Sequence, residues 1–270
     1  MQFHELRRQQ FLNESAFLAT KNFFLNIVSL NVEERISGHK SGYDRQNSAW
    51  NFADYFFTNY MLKFTSGETL DNLRTELSDV VRAYEEYAKY KREYSQNKAS
   101  PIFAFQEIDD FECILQLVSL AILLHRRDLI VRIHSLIAGS AYDGEDAMYE
   151  ELIGHELPDR PYLDEWYHQL PYIHLLNASD AQTSEEQVAQ MQLYLNAWYP
   201  AMEKATWHDS HLNMTNESCG AYFGYWAIEA AAIVYLYNID DSSFRDHIVY
   251  PKDLVDFARQ WDRDHTNASA

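Results

Sequence analysis

NESCGAYFGYWAIEAAAIVYLYNIDDSSFRDHIVYPKDLVDFAR, residues 216–259, is the stretch that decides the fold. Between Cys219 and Tyr237 the only charged residue is Glu229; the rest is mostly alanine, aromatic and branched aliphatic, with Gly220 and Gly224 near the start. An apolar run of that length is a helix buried on all sides or a membrane span. A span would place Glu229 near the bilayer centre, where a carboxylate is costly, and it would lack basic flanking residues. The run therefore predicts the central helix of a water-soluble core, over about 219–237. A polar turn, Asp240-Asp241-Ser242-Ser243, follows it. Tyr250-Pro251 then opens another helix, with proline at the first helical position, Asp253 in the first turn and an apolar stripe through Leu254, Val255, Ala258 and Trp261.

Working outward, helical spacing dominates the chain. Phe17, Phe24, Leu25, Val28, Val32 and Ile36 mark one helix, to about Ser37. Trp50, Ala53, Phe57, Tyr60, Met61 and Phe64 mark a second, and Leu70, Leu73, Leu77, Val80, Tyr84 and Tyr87 a third. Cys113–Leu124 is nearly apolar and predicts a buried helix. Shorter helices are expected over 129–138, around Met148-Leu152-Ile153 and between Pro161 and Pro171. Thr183 with Glu186, or Ser184 with Gln187, fits a capping box for a helix that stops before Pro200. No strand-period segment stands out. The expectation is an all-α array around the central helix, with an N-terminal helical domain at 5–126, a C-terminal one at 129–262 and a disordered tail at 263–270.

Composition agrees with a packed interior: 270 residues, 47% hydrophobic and 15% aromatic. The two cysteines, Cys113 and Cys219, lie in apolar patterns and do not suggest a disulfide framework. The first residues lack an uninterrupted apolar stretch of signal-peptide length. Together these point to a cytoplasmic protein, in which Asn-x-Ser/Thr sites such as Asn13 and Asn216 carry no weight.

The formal net charge is −19, and it is segregated. Residues 1–100 hold 13 bases and 13 acids; residues 101–270 hold 9 and 28. Residues 133–203 hold thirteen acids against the single base Arg160, among them Asp143, Glu145, Asp146, Glu150, Glu151, Asp164 and Glu165. Such a field disfavours direct contact with nucleic acid and favours a basic partner. The plainer reading is a solvated acidic face.

Several clusters have the residue types for chemistry. Glu165-Trp-Tyr-His168 has the ligand spacing of di-iron bundles, but a second copy is missing. His208 and His211 supply half a zinc site at most. Glu107, Asp109, Asp110 and Glu112 precede the buried helix, and Asp240, Asp241 and Asp246 follow the central one. Either cluster can serve Mg²⁺ through water, or cap helices and turns. Glu229 needs a partner, from tyrosine hydroxyls or an arginine such as Arg245, or is an acid of raised pKa. No phosphate loop, nucleophile elbow or zinc-finger cysteine pair is present.

Segments of the chain resemble one family. Leu62-Lys-Phe-Thr-Ser66-Gly67-Glu68-Thr-Leu is similar to the Tyr-Ser-Ala-Gly-Glu turn of its N-terminal domain, and Leu117-Val-Ser-Leu-Ala-Ile-Leu-Leu to that domain's last helix. Tyr222-Phe-Gly-Tyr225-Trp226-Ala-Ile-Glu229-Ala-Ala-Ala, Asp240-Asp241-Ser and Tyr250-Pro251-Lys-Asp253-Leu254 resemble the signature of its C-terminal domain. The family is that of PoNi-type immunity proteins, which protect bacteria against PoNe-type DNase toxins of interbacterial competition. The resemblance implies an all-α, non-enzymatic protein without cofactor or metal that binds its basic DNase toxin in the cytoplasm. On this reading Tyr222, Tyr225, Trp226, Glu229, Asp240, Asp241, Tyr250 and Pro251 hold the core. The expected toxin contacts are Asp143, Glu145, Asp146, Glu150, Glu151, Asp164, Glu165, Glu107, Asp109 and Asp110. A metal-dependent helical hydrolase built on the aspartate clusters and a general acidic adaptor are the alternatives.

Overall fold

The computed structural model describes residues 2–28, 36, 38–39, 41–214 and 220–267. They form eleven α-helices and two short 3-10 turns, with no strand among the described residues. The fold is all-α, as the periodicity predicts. The chain divides into two compact units, one of Met1–Ile102 with Trp207–Gly224 and one of Phe103–Thr206 with Tyr225–Ala270.

In the first unit, α1 (Phe3–Leu6) and α2 (Glu14–Val28) precede a long helical hairpin of α3 (Gly42–Ser66) and α4 (Leu70–Ser95). The hairpin turns at Gly67, whose left-handed φ of 98° closes α3, and Thr69 then caps α4 by accepting from the Asn72 N–H. Only glycine suits position 67 on two counts. Its φ is positive, and a Cβ there would lie 2.1 Å from the Leu6 carbonyl oxygen. The predicted first helix reaches Val28; its continuation through Val32 to Ser37 lies outside the described residues, apart from a buried Ile36. Residues 207–224 return to this unit. The Gly220 N–H donates to Thr20 Oγ1 at 3.1 Å, and the buried Tyr222 hydroxyl donates to Gln9.

The second unit is built on α5 (Ile108–Leu123), buried from Phe111 onward except at Cys113. A 3-10 turn and α6 (Ile130–His134) follow, then α7 (Ala147–Gly154), α8 (Gln169–Asp180), α9 (Ser184–Ala201), α10 (Ile228–Leu236) and α11 (Lys252–Asn267). The largest helix contact of α10 is with α5, and α8 pairs with α9. Ala230, Ala231 and Ala232 are fully buried, and these small side chains let α10 approach its neighbours closely. Thr183 does cap α9, accepting from the Glu186 N–H at 3.2 Å.

Four expectations change. The central helix starts at Ile228, not near 219. Gly224 adopts φ 115°, residues 222–227 run without helix, and the Ala227 N–H bonds the Val249 carbonyl; Cys219 and Asn216 lie outside the described residues. The segment between Pro161 and Pro171 is not a helix, because its backbone is engaged with the start of α7: the Ala147 N–H bonds Glu165 O, and Asp146 accepts from the Tyr167 N–H. Helix α9 continues through Pro200 to Ala201, so proline sits in its last turn. The last helix reaches Asn267, past the expected tail start at 263. The domain boundary also falls differently from 126/129. Helix α5, assigned from sequence to the N-terminal half, packs on α10 in the second unit, while Tyr222 belongs with the first.

Candidate partner-binding face

The acidic stretch begins at the loop before α7. Asp146 is fully buried and caps this helix, accepting from the Tyr149 and Tyr167 N–H groups, both at 3.0 Å. Glu150, one turn on, is buried too. It takes the Gly144 N–H at 3.0 Å and a two-point clamp from Arg160, Nε to Oε2 at 2.6 Å and Nη2 to Oε1 at 2.7 Å. Arg160 Nη2 also reaches Asp143 Oδ1 at 2.7 Å, and the Gly139 N–H donates to Asp143 Oδ2 at 2.7 Å. Burial alone would raise Asp143, but the Gly139 N–H and the Arg160 guanidinium outweigh it and hold the carboxyl below its usual range. Burial raises Asp146 in spite of its backbone donors.

Two expected contact residues are internal and a third is tied down. Asp146 and Glu150 are closed off from solvent, and Asp143, still partly exposed, is held by Arg160, so these carboxylates fix the loop. Glu145, Asp164 and Glu165 are exposed, and so is Glu107 at the start of α5. Asp109 is half-buried and accepts from the Thr206 N–H at 3.1 and 3.2 Å; Asp110 accepts from the Ala104 N–H at 2.8 Å.

Glu151 lies in a cavity of about 260 Å³ beside α7, lined also by His155, Arg160, Tyr162, Leu176 and Tyr237. His155 Nε2 is 3.4 Å from Glu151 Oε1, and the Tyr237 hydroxyl donates to the same oxygen. The His155 contact, with the Tyr237 hydroxyl, holds Glu151 below its usual range against the effect of burial. Tyr162 stands 82% exposed at the cavity, its hydroxyl 3.2 Å from Asp180 Oδ2.

Inside the second unit, Glu229 takes a tyrosine partner, one of the two kinds the sequence left open. The Tyr194 hydroxyl donates to it, and Arg245 instead pairs with Asp241 and Asp256. Burial pushes Glu229 up to about 7. Glu112 is its neighbour in charge, raised first by burial and then by Glu229 itself, and it accepts from the Tyr172 hydroxyl and from Gln116 Nε2 at 3.0 Å. By sequence Glu112 groups with the helix-start acids. Its spacing of four from Gln116, inside an apolar run, was the signal for the buried face. Tyr225, Trp226, Tyr250 and Pro251 are buried, and Asp241 accepts from Tyr250, Arg245 and Arg259; Asp240, expected in the core, is exposed and caps the Ser242 N–H at 3.0 Å.

Glu165 and His168 lie on irregular backbone, so their spacing does not put them on one helical face; His168 Nε2 instead sits 2.8 Å from Phe105 O. His208 lies 3.7 Å from Asp209, and His211 packs on the Phe11 ring. Among the described residues no three His, Cys, Asp or Glu side chains converge as a metal-binding group. No helix among them is long and apolar enough to cross a membrane.

Comparison with known proteins gives two findings. Residues 144–254, from the loop before α7 to the start of α11, match the family model for PoNe immunity proteins (PoNi), C-terminal. The solved structure of protein PA2201 from Pseudomonas aeruginosa shares the fold, with a TM-score of 0.73 over 95% of this chain and 92% of that one, at 19% identity. No curated protein matches.

Proposed function

We propose that this chain, with its PoNi C-terminal domain, is an immunity protein that binds a PoNe-type DNase toxin in the cytoplasm and blocks it without catalysis. The match over residues 144–254 carries this reading. The charge supports it independently. A DNase needs a basic surface for phosphates, and residues 101–270 supply 28 acids against 9 bases. An acidic face can cover such a surface and speed encounter by steering.

The exposed carboxylates Glu145, Asp164, Glu165 and Glu107 are the contacts this reading retains, together with the cavity residue Glu151; Asp109 and Asp110 flank them on α5. Asp143, Asp146 and Glu150 hold the loop that presents them. The test is co-expression with the PoNe-type toxin encoded beside the chain. Survival and a stable complex are expected. Unabated killing with the immunity chain expressed at excess would overturn the reading and favour an acidic adaptor.

A further inference from the structure

We propose that the cavity beside α7 receives an arginine side chain of the toxin, its guanidinium stacking on Tyr162 and pairing with Glu151. The inference rests on the immunity reading and names the chemistry of one contact within it. Three separate observations converge on this place. The first is room. The cavity holds about 260 Å³, enough for one long side chain, and its walls mix apolar Leu163, Leu176 and Pro161 with the polar groups of Glu151, His155 and Tyr237. An arginine has the same division, an apolar stem and a charged tip.

The second is Tyr162. A tyrosine ring 82% exposed at the mouth of a cavity keeps little of its packing, and its face is free to receive a cation. Arginine suits this better than lysine, because its planar, weakly hydrated group stacks on rings and pairs with carboxylates together.

The third is charge. Two carboxylates, Glu150 and Glu151, line the cavity against one guanidinium, Arg160. Arg160 is already clamped between Glu150 and Asp143, which leaves Glu151 as the carboxylate facing a newcomer. Asp180 first, with Asp164 and Glu151 adding to it, raises the Tyr162 phenol, so the surroundings of the ring are negative. Glu151 is itself held ionised by His155 and Tyr237.

The full chain, isotopically labelled, is titrated with N-acetyl-arginine methylamide, and its uncharged analogue N-acetyl-citrulline methylamide serves as control. Saturable amide shifts confined to Gly154, His155, Tyr162 and Tyr237 are expected with arginine and none with citrulline. Tyr162→Ala should weaken the response at least fivefold. Gly154→Arg should abolish it by filling the space, since a Cβ there meets only the Arg160 Cβ at 3.8 Å. Equal responses to both probes, or unsaturable shifts spread over all exposed acids, would overturn the proposal. In cells, a wild-type chain that protects beside Tyr162→Ala and Gly154→Arg variants that protect equally would reject the cavity contact and leave the immunity function standing. A wild-type chain that fails to protect would reject the immunity reading instead.

Discussion

Arg160 grips Glu150 through two parallel hydrogen bonds, at 2.6 and 2.7 Å, and the Glu150 side chain is only 1% exposed. Removing the guanidinium strands a buried carboxylate. Breaking such a pair costs about 3–5 kcal/mol. Arg160→Ala is therefore expected to lose stability on that scale in denaturant titration, and Glu150→Gln in the same background to recover part of it. An Arg160→Ala protein as stable as the wild type would show that the clamp contributes nothing.

The buried carboxyls Glu112 and Glu229 set a pH dependence with a definite sign. Burial raises both, Glu229 to about 7 from its ordinary 4.5. Below about 4.5 the native and unfolded chains both hold the Glu229 proton, and its favourable contribution is fully present. From there to about 7 the unfolded chain has released a proton that the native state keeps, so stability falls as pH rises. The slope is about 1.4 kcal/mol per pH unit for one proton. Glu229→Gln keeps an acceptor for the Tyr194 hydroxyl and removes this proton. Its stability advantage over wild type should grow between pH 5 and 7. Parallel stability curves for the two proteins would refute the assignment.

Asp241 joins the segment after α10 to the last helix. It accepts from Arg245 at 2.8 Å, Arg259 at 3.1 Å and the Tyr250 hydroxyl at 3.1 Å. Hydrogen bonds to charged groups contribute about 1.5–3 kcal/mol each when buried, and both arginines here are partly solvated. Asp241→Asn should cost about 1–3 kcal/mol in total, whereas Asp240→Asn, with one exposed turn contact, should leave stability close to that of the wild type. Equal losses at the two positions would remove Asp241 from its role as the joint.

These tests also mark where the sequence was legible. The long helices were readable because their apolar stripes repeat over many turns, as in α3, α4 and α9. The stretch at 220–227 was not. An all-round apolar run looks the same whether it is helical or extended in a core, and the left-handed Gly224 and the Ala227–Val249 bond are what part the two. The residues around 161–170 misled for a related reason. Tyr162, Trp166 and Leu170 have helical spacing, yet Tyr162 and Leu170 are 82% and 67% exposed, so the stripe buries no face. For the acids, charge density was legible and accessibility was not: Glu150 and Glu151 are neighbours, but Arg160, ten residues on, decides which one is enclosed.

That distinction shapes the final prediction, on the surface charges themselves. Reversing Asp143 or Asp146 would break the loop, so lost binding would report unfolding. Glu145, Asp164 and Glu165 are exposed, and the short side-chain contacts of the latter two are local: Asp164 accepts from Trp166 Nε1, and Glu165 from the Asp164 N–H. The triple variant Glu145→Lys, Asp164→Lys, Glu165→Lys should hold its stability to about 0.5 kcal/mol per site. Its association rate with the toxin should fall at least tenfold in low salt, and the gap should narrow as salt screens the field, because rim charges act mainly on encounter. Stopped-flow binding at several ionic strengths reads both effects. Rates that match the wild type throughout would take these three carboxylates out of the toxin-facing surface and leave Glu107 and Glu151 to supply it.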